Sequence, residues 1–176
     1  DSIVIFGAGG GLGSHAVQVA SSAGAHVMAF TSSTNKIERL ENLGIESVFL
    51  LEPGIDPSEL VLSATSDKGV DFIFNPIGGV VFNSAVKCLN LRGKMILAGD
   101  IHGHRSTVNM AEIIFRDASI IGVVGADIDH IYRASKMVSE GGIKPVVGEI
   151  FKFEEIVEAY EKVKSGSIFG RVVLIP

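Results

Sequence analysis

The 176 residues include 15 lysines and arginines against 20 aspartates and glutamates, a net charge of −5, and the pI is near 5.5. The basic residues are scattered, which argues against nucleic acid or an anionic membrane as partner. A single cysteine, Cys88, excludes an internal disulfide and a multi-cysteine zinc site. The length fits one domain with a sizeable core. A hydrophobic fraction of 47% and a mean hydropathy of +0.40 are high for a freely soluble domain. Part of the apolar surface is therefore expected to be covered by something outside this chain.

Ile3-Val4-Ile5-Phe6 is a β-branched apolar run, read as a buried first strand. Gly7-Ala8-Gly9-Gly10-Gly11-Leu12-Gly13 follows, with five glycines in seven residues. Such a backbone turns sharply and leaves space where side chains would stand. Residues 12–23 read as a helix with Leu12, Ala16, Val19, Ala20 and Ala23 along one side, stopped by Gly24. Residues 12–33 hold no acid, lysine or arginine. The polar residues and the break at Ala23-Gly24-Ala25 nevertheless favour helix then strand over a membrane span. No targeting segment is read ahead of the first strand, and a cytoplasmic location is expected.

Val27-Met28-Ala29-Phe30 is the second strand, followed by Thr31-Ser32-Ser33-Thr34 and a helix over 36–43. Residues 46–51 form a third strand and 58–66 a helix with Pro57 at its first turn. Asp71-Phe72-Ile73-Phe74 is the fourth strand, ending at Asn75-Pro76-Ile77-Gly78-Gly79. A helix over 81–89, a turn at Leu91-Arg92-Gly93 and a fifth strand over 94–98 come next. A polar loop over 99–109, a helix over 110–116 and a sixth strand over 119–124 complete the alternation. The tail holds a helix over 129–139, a strand over 146–150, an amphipathic helix over 153–164 and a closing strand over 170–175. That last helix carries Ile156, Ala159, Tyr160 and Val163 on one face.

Strands alternating with helices at this spacing imply parallel βαβ units with right-handed crossovers. The expected fold is α/β: a doubly wound Rossmann sheet of six parallel strands in the order 3-2-1-4-5-6, with a C-terminal helix and strand return. Residues 1–145 are assigned to the sheet domain and 146–176 to the return. In this order the turns after strands 1 and 4 sit side by side at the carboxyl edge.

A glycine turn that opens a helix presents free N–H groups and the positive end of the helix dipole, which suits a diphosphate. The strict G-x-G-x-x-G string is absent; Gly7-x-x-Gly10-x-x-Gly13 or Ala8-x-Gly10-x-x-Gly13 takes its place. With strand before and helix after, a bound dinucleotide is expected. Gly10 and Gly11 allow backbone approach to the pyrophosphate, Leu12 and Gly13 supply amides, and Gly13 packs helix on strand. NAD sites place an acid at the end of strand 2. Here Thr31, Ser32, Ser33 and Thr34 stand there, with no acid before Glu38. These hydroxyls and Lys36, with Arg39 as a further candidate, suit a 2′-phosphate, so NADP is favoured over NAD. The plainer alternative, that the hydroxyls cap the next helix, is compatible with this.

Asn75, Pro76 and Ile77 lie where the nicotinamide ribose should pass, or else form a tight strand–helix turn. Gly99 and Asp100 at the end of strand 5, and Val123 at the end of strand 6, complete the cofactor candidates. His102 and His104 are metal ligands by type, but no cysteine or third ligand stands nearby, so no metal is assigned. Asp100 and His102 are read as loop residues facing a substrate. His15, His26 and His130 are read as surface or helix histidines, and Cys88 as a small buried apolar residue. No Ser/His/Asp or paired-carboxylate constellation can be placed, and no catalytic residue is assigned.

Several stretches together resemble the medium-chain dehydrogenase/reductase superfamily. They are the turn from Gly7 to Gly13 with Ala16-Val17-Gln18, the Thr31-Ser32-Ser33 stretch with Lys36 and Leu43-Gly44, and Gly69-Val70-Asp71 with Gly78-Gly79. Arg92-Gly93-Lys94, Ser119-Ile120-Ile121-Gly122 and Lys144-Pro145 continue the likeness, as do Phe153-Glu154-Glu155-Ile156 and Gly170-Arg171-Val172-Val173-Leu174. It covers essentially the whole chain and is strongest to the quinone oxidoreductase and zinc-free branch, among relatives of zinc-type alcohol dehydrogenases. The resemblance implies a two-domain oxidoreductase that uses NADPH on a carbonyl, quinone or enone. This chain would be its cofactor domain, binding cofactor but turning over little alone. The preceding catalytic domain, with any zinc ligands, is not matched here, and the final strand would pack on it. The resemblance also implies a homo-oligomer pairing sixth strands edge to edge, which Ile120-Ile121-Gly122-Val123-Val124 would suit.

Two other readings remain open at this level. One is the enoyl reductase module of a fatty-acid or polyketide synthase, which shares these features. The other is a non-enzymatic nucleotide-sensing domain, against which the long C-terminal return argues. A methyltransferase is disfavoured because the acid it needs at the end of strand 2 is missing.

Overall fold

The computed structural model describes residues 1–101, 103 and 105–176. Six parallel strands form one sheet in the order β3-β2-β1-β4-β5-β6, the doubly wound order that the alternation predicts. They are β1 (Ser2–Ile5), β2 (His26–Thr31), β3 (Ser47–Leu50), β4 (Val70–Asn75), β5 (Leu89–Leu97) and β6 (Ser119–Gly122). The crossover helices are α1 (Gly13–Ser22), α2 (Ile37–Glu41), α3 (Pro57–Ala64), α4 (Gly79–Cys88) and α5 (Met110–Ile114). Beyond the sheet lie α6 (Ile128–Ser139), β7 (Val147–Lys152), α7 (Ile156–Lys164) and β8 (Arg171–Ile175), with β7 and β8 paired parallel as a separate ribbon.

The strand periodicity divides the core cleanly. Val4 and Phe6 point to one face of β1, with Met28 and Phe30 of β2, against Val61 of α3 and Val81, Phe82 and Ala85 of α4. Ile5, with Val27 and Ala29, points to the other face, against Val17 of α1 and Leu40 of α2. Apolar residues on both sides of a strand are what a sheet covered on both faces requires. Phe30 links the first face laterally, its ring 5.3 Å from Phe6 and 5.1 Å from Phe49. Asp56 caps α3 by accepting from the Ser58 N–H, with Pro57 in the first turn.

Several predicted elements differ. Leu91-Arg92-Gly93 is not a turn but lies inside β5, which runs unbroken from Leu89. Arg92 has φ +64°, and the β4–β5 register shifts between Val70 and Phe72. The strand thus absorbs the turn-like residues as a bulge. The predicted helix over 36–43 splits into a 3-10 turn, Thr34–Lys36, and α2. β6 ends at Gly122 rather than 124, although the Val123 N–H still donates to the Leu97 carbonyl. On α1 the buried residues are Gly13, Ser14 and Val17. Ala16 and Ala20 of the predicted face pack against the core, whereas Leu12, Val19 and Ala23 are exposed. On α7 only Ala159 is buried, while Ile156, Tyr160 and Val163 are exposed.

The exposed apolar residues concentrate late in the chain. Phe115, Val124 and Ile128 are 81%, 99% and 82% exposed, and α6 buries no residue. Among the described residues no helix is long and apolar enough to cross a membrane.

Truncating Phe30 removes the ring that joins Phe6 to Phe49 in the sheet centre. Phe30→Ala is expected to lower unfolding stability by about 3–5 kcal/mol in a denaturant titration, with the slope of the transition unchanged.

Candidate dinucleotide-binding cleft

At the end of β1, the Phe6 N–H still donates to the Phe74 carbonyl of β4. Gly7 then turns the chain at φ +61°. The Ala8 N–H bonds to the Phe30 carbonyl and the Gly10 N–H closes back on the Gly7 carbonyl at 2.9 Å. The start of α1 is pressed onto this turn: a Cβ at Gly13 would lie 2.2 Å from the Gly7 oxygen and 2.6 Å from the Ala8 Cα. Gly13 therefore performs the helix–strand packing that its position predicts. Among the described residues no hydrogen bond engages the N–H groups of Leu12 and Gly13. The first turn of α1 also has no side-chain cap and no acid. Two free N–H groups at the positive end of a helix are suited to an anion.

The turn forms the floor of a cleft of about 520 Å³. Its walls bring together Gly7, Gly9, Gly10, Gly11, Leu12 and Gly13 with Thr31, Ser32 and Lys36 of the β2 end, and with Pro76 and Ile77 after β4. Most sequence-predicted site residues thus share one space. Ile101 lines the cleft too, as do Val163, Lys164, Gly166 and Arg171 of the tail. Gly99 and Asp100 line an adjoining recess of about 340 Å³ with Gly78, Phe82 and Ser106. There the Asp100 carboxylate accepts from the Gly79 N–H at 3.4 Å.

Ser33, Asn75 and Val123 line neither space. The Ser33 hydroxyl donates to Asn35 instead. Asn75 is fully buried, its Oδ1 accepting from the Ile77 and Gly78 N–H groups and its Nδ2 donating to the Gly78 carbonyl. It shapes the backbone of the turn, the plainer of the two roles open to it from sequence. His102 and His104 lie outside the described residues.

The glycines also make room for two cations. The Lys36 stem crosses Gly9, where a Cβ would meet its Cδ at 2.5 Å. Its Nζ donates to the Gly166 carbonyl at 2.6 Å. Lys36 is 7% exposed, and burial, followed by the Arg39 guanidinium, lowers its pKa from the ordinary lysine value. Arg171 crosses Gly11, where a Cβ would meet its Cδ at 2.5 Å and its Nε at 2.6 Å. Lys164 adds a third cation to the lining. Arg39, the further phosphate candidate, is stacked 4.6 Å over the buried Phe169 ring instead.

The tail is bound into the turn by backbone as well. The Gly170 N–H donates to the Gly9 carbonyl at 3.0 Å. Phe169 packs into the core beside Val17 and Leu40. Local sequence patterns did not select Lys164 or Arg171, because their role arises from contacts spanning more than a hundred residues. The available signal was Gly170-Arg171 at the start of an apolar strand. Gly170 has φ +85° and no space for a Cβ, which would lie 2.4 Å from the Val146 oxygen.

The described residues do not fit a metal ion. No three His, Cys, Asp or Glu side chains converge among them. Cys88 is buried, and desolvation, followed by Asp56, pushes its thiol up to about 12, against the thiolate that zinc requires. The residues do fit a dinucleotide: free helix N–H groups, a turn approached closely by backbone, two hydroxyl side chains and three cations line one cleft.

Residues 11–140 match the family model for zinc-binding dehydrogenases. Acryloyl-coenzyme A reductase of Metallosphaera sedula is 28% identical over 175 residues, covering 99% of this chain and 50% of that protein. NAD-dependent alcohol dehydrogenase of Saccharolobus solfataricus is 28% identical over 187 residues, with 99% and 50% covered. A crystal structure of an NAD-dependent alcohol dehydrogenase superposes with a TM-score of 0.92 at 29% identity, covering all of this chain and 51% of that one. The chain belongs to the zinc-binding dehydrogenase family, within the medium-chain dehydrogenase/reductase superfamily of oxidoreductases, and corresponds to its cofactor-binding part. It spans about half the length of the curated relatives it matches.

Gly13→Ala places a methyl group into the Gly7 and Ala8 backbone, and is expected to cost about 1–3 kcal/mol of stability. Gly122→Ala meets nothing within 4 Å and is expected to stay within about 0.5 kcal/mol of the parent. Paired thermal melts of the two variants check both outcomes.

Proposed function

We propose that this chain is the NADP(H)-binding part of an oxidoreductase that transfers hydride between the nicotinamide and a carbonyl, quinone or enone. The observation that carries the reading is the cleft itself. On a chain of net charge −5, it gathers Lys36, Lys164 and Arg171 around the unbonded N–H groups of Leu12 and Gly13. An acidic protein that concentrates cations in one cleft is suited to a ligand with several phosphates.

In this reading the Leu12 and Gly13 N–H groups hold the pyrophosphate, and Arg171 neutralises it from the opposite wall. Thr31, Ser32 and Lys36 meet the adenosine ribose and its 2′-phosphate. The Lys36 ammonium has three donors and uses one on Gly166, which leaves two for phosphate. An acid in place of Ser32 would repel that phosphate and favour NAD. Pro76, Ile77 and Ile101 give the cleft an apolar end, against which the nicotinamide half would rest. Gly99 and Asp100, which line the adjoining recess, border the substrate side. The bound cofactor supplies the hydride chemistry; this chain orients it and excludes water from one face. Substrate contacts, the remaining half of the active site and any zinc are assigned to a catalytic domain outside this sequence. The exposed apolar faces of α6 and α7, the β7–β8 ribbon included, would rest on that domain. The exposed edge of β6 would pair with a second copy, and a cytoplasmic location accords with these assignments.

Titration with NADPH and NADH tests the cofactor assignment. The chain is expected to bind NADPH at least about tenfold tighter than NADH, a difference of about 1.4 kcal/mol. Lys36→Ala is expected to remove most of that preference while leaving NADH affinity within about threefold. Tighter NADH binding, unaffected by Lys36→Ala, would defeat the assignment.

A further inference from the structure

His15 stands in the first turn of α1, next to the glycine turn, and both of its ring nitrogens are engaged. Nδ1 lies 2.8 Å from the Gly11 carbonyl, with the Ser14 hydroxyl a weaker neighbour at 3.5 Å. Nε2 lies 3.3 Å from the backbone nitrogen of Val146. A carbonyl can only accept, so Nδ1 carries the hydrogen. A backbone N–H can only donate, so Nε2 offers its lone pair. These two partners select one neutral tautomer of the ring.

The contacts continue into a closed circuit. The Val146 carbonyl accepts from the Arg171 N–H at 2.9 Å. The Arg171 side chain then returns across Gly11, whose carbonyl began the circuit at His15. One turn further along α1, Gln18 reinforces it. Its Nε2 donates to the Lys144 carbonyl at 3.0 Å, and its Oε1 accepts from the Lys144 N–H at 2.8 Å. Pro145, between the two anchored residues, restricts the backbone of this segment. The segment from Lys144 to Val146 is thus held to α1 by side chains of α1 at both ends.

We propose that His15 is a positioning residue for the dinucleotide. It ties the Gly11 carbonyl to the Val146 backbone and so fixes the start of β8, which holds the Arg171 guanidinium over the glycine turn. The inference rests on the reading that Arg171 faces the pyrophosphate. It assigns a binding role to a residue whose sequence context suggests only a helix-surface histidine. An arginine held in place before the ligand arrives loses less side-chain freedom on binding. Releasing Val146 would return that cost.

The test is a double-mutant cycle on NADPH affinity in the full chain, using His15→Asn, Arg171→Met and the pair. Asn keeps a donor near the Gly11 carbonyl but cannot reach Val146. His15→Asn alone is expected to weaken NADPH binding about tenfold, yet to change it by less than about twofold when Arg171 is already Met. A residue that only supported α1 would show the same loss in both backgrounds, and that result would overturn the proposal. So would an unchanged affinity in His15→Asn. Gln18→Ala loosens the same segment from its other anchor, and is expected to give a smaller loss, about threefold, that also vanishes with Arg171→Met. It carries the test if His15→Asn does not fold. Nitrogen-15 spectra of the parent chain should show Nδ1 protonated and Nε2 bare at His15; the opposite tautomer would contradict the circuit. A parent chain that binds no NADPH would defeat the functional reading and this role together. Binding with fully additive losses would defeat this role alone.

Discussion

The close approach of α1 to the strand end sets the terms for everything around it. With Gly13 lying against Gly7 and Ala8, there is no space for even one methyl group. Leu12 and Gly13, whose N–H groups have no hydrogen bond among the described residues, line the cleft at this point. The outer side of the turn is bare at Gly9 and Gly11, and this bareness is then used twice. Lys36 lies across one glycine and Arg171 across the other. A turn built of larger residues would keep both cations away from these N–H groups.

The C-terminal segment is thus less separable from the sheet than its position in the sequence suggests. Phe169 enters the core between α1 and α2, Gly170 bonds to the Gly9 carbonyl, and Lys36 reaches the Gly166 carbonyl across 130 residues of chain. The cleft therefore has a floor made early in the chain and a wall made last. A cofactor that spans both would link the two ends, adding binding free energy to the stability of the folded state. α7 reaches the cleft with Val163 and Lys164, while α6 and the rest of α7 expose Ile128, Tyr132, Val157 and Tyr160.

The strand order and the glycine turn were legible in the sequence because buried parallel strands appear as apolar β-branched runs and the turn sits between one such run and a helix. Pro76, Ile77, Thr31 and Lys36 line one cleft because the ends of β1, β2 and β4 must share an edge in this order. Legibility failed where local chemistry has two uses. Asn75 has the side chain of a ligand contact and of a turn former, and its buried bonds to Ile77 and Gly78 show the second. Leu91-Arg92-Gly93 has the composition of a turn, yet β5 absorbs it as a bulge with Arg92 in the left-handed region. Arg171, Lys164 and the His15 circuit were hidden for a different reason. No periodicity in the sequence records which distant backbone a side chain will meet.

In the proposed function the glycine turn and the tail together hold the cofactor's phosphates. Amide chemical-shift mapping during a titration with NADPH tests it most directly. Phosphates held at this junction would give saturable shifts centred on the Leu12 and Gly13 amides, with the Arg171 Nε resonance moving over the same concentration range. Shifts that leave those amides unmoved, or that track the turn while Arg171 stays still, would contradict it.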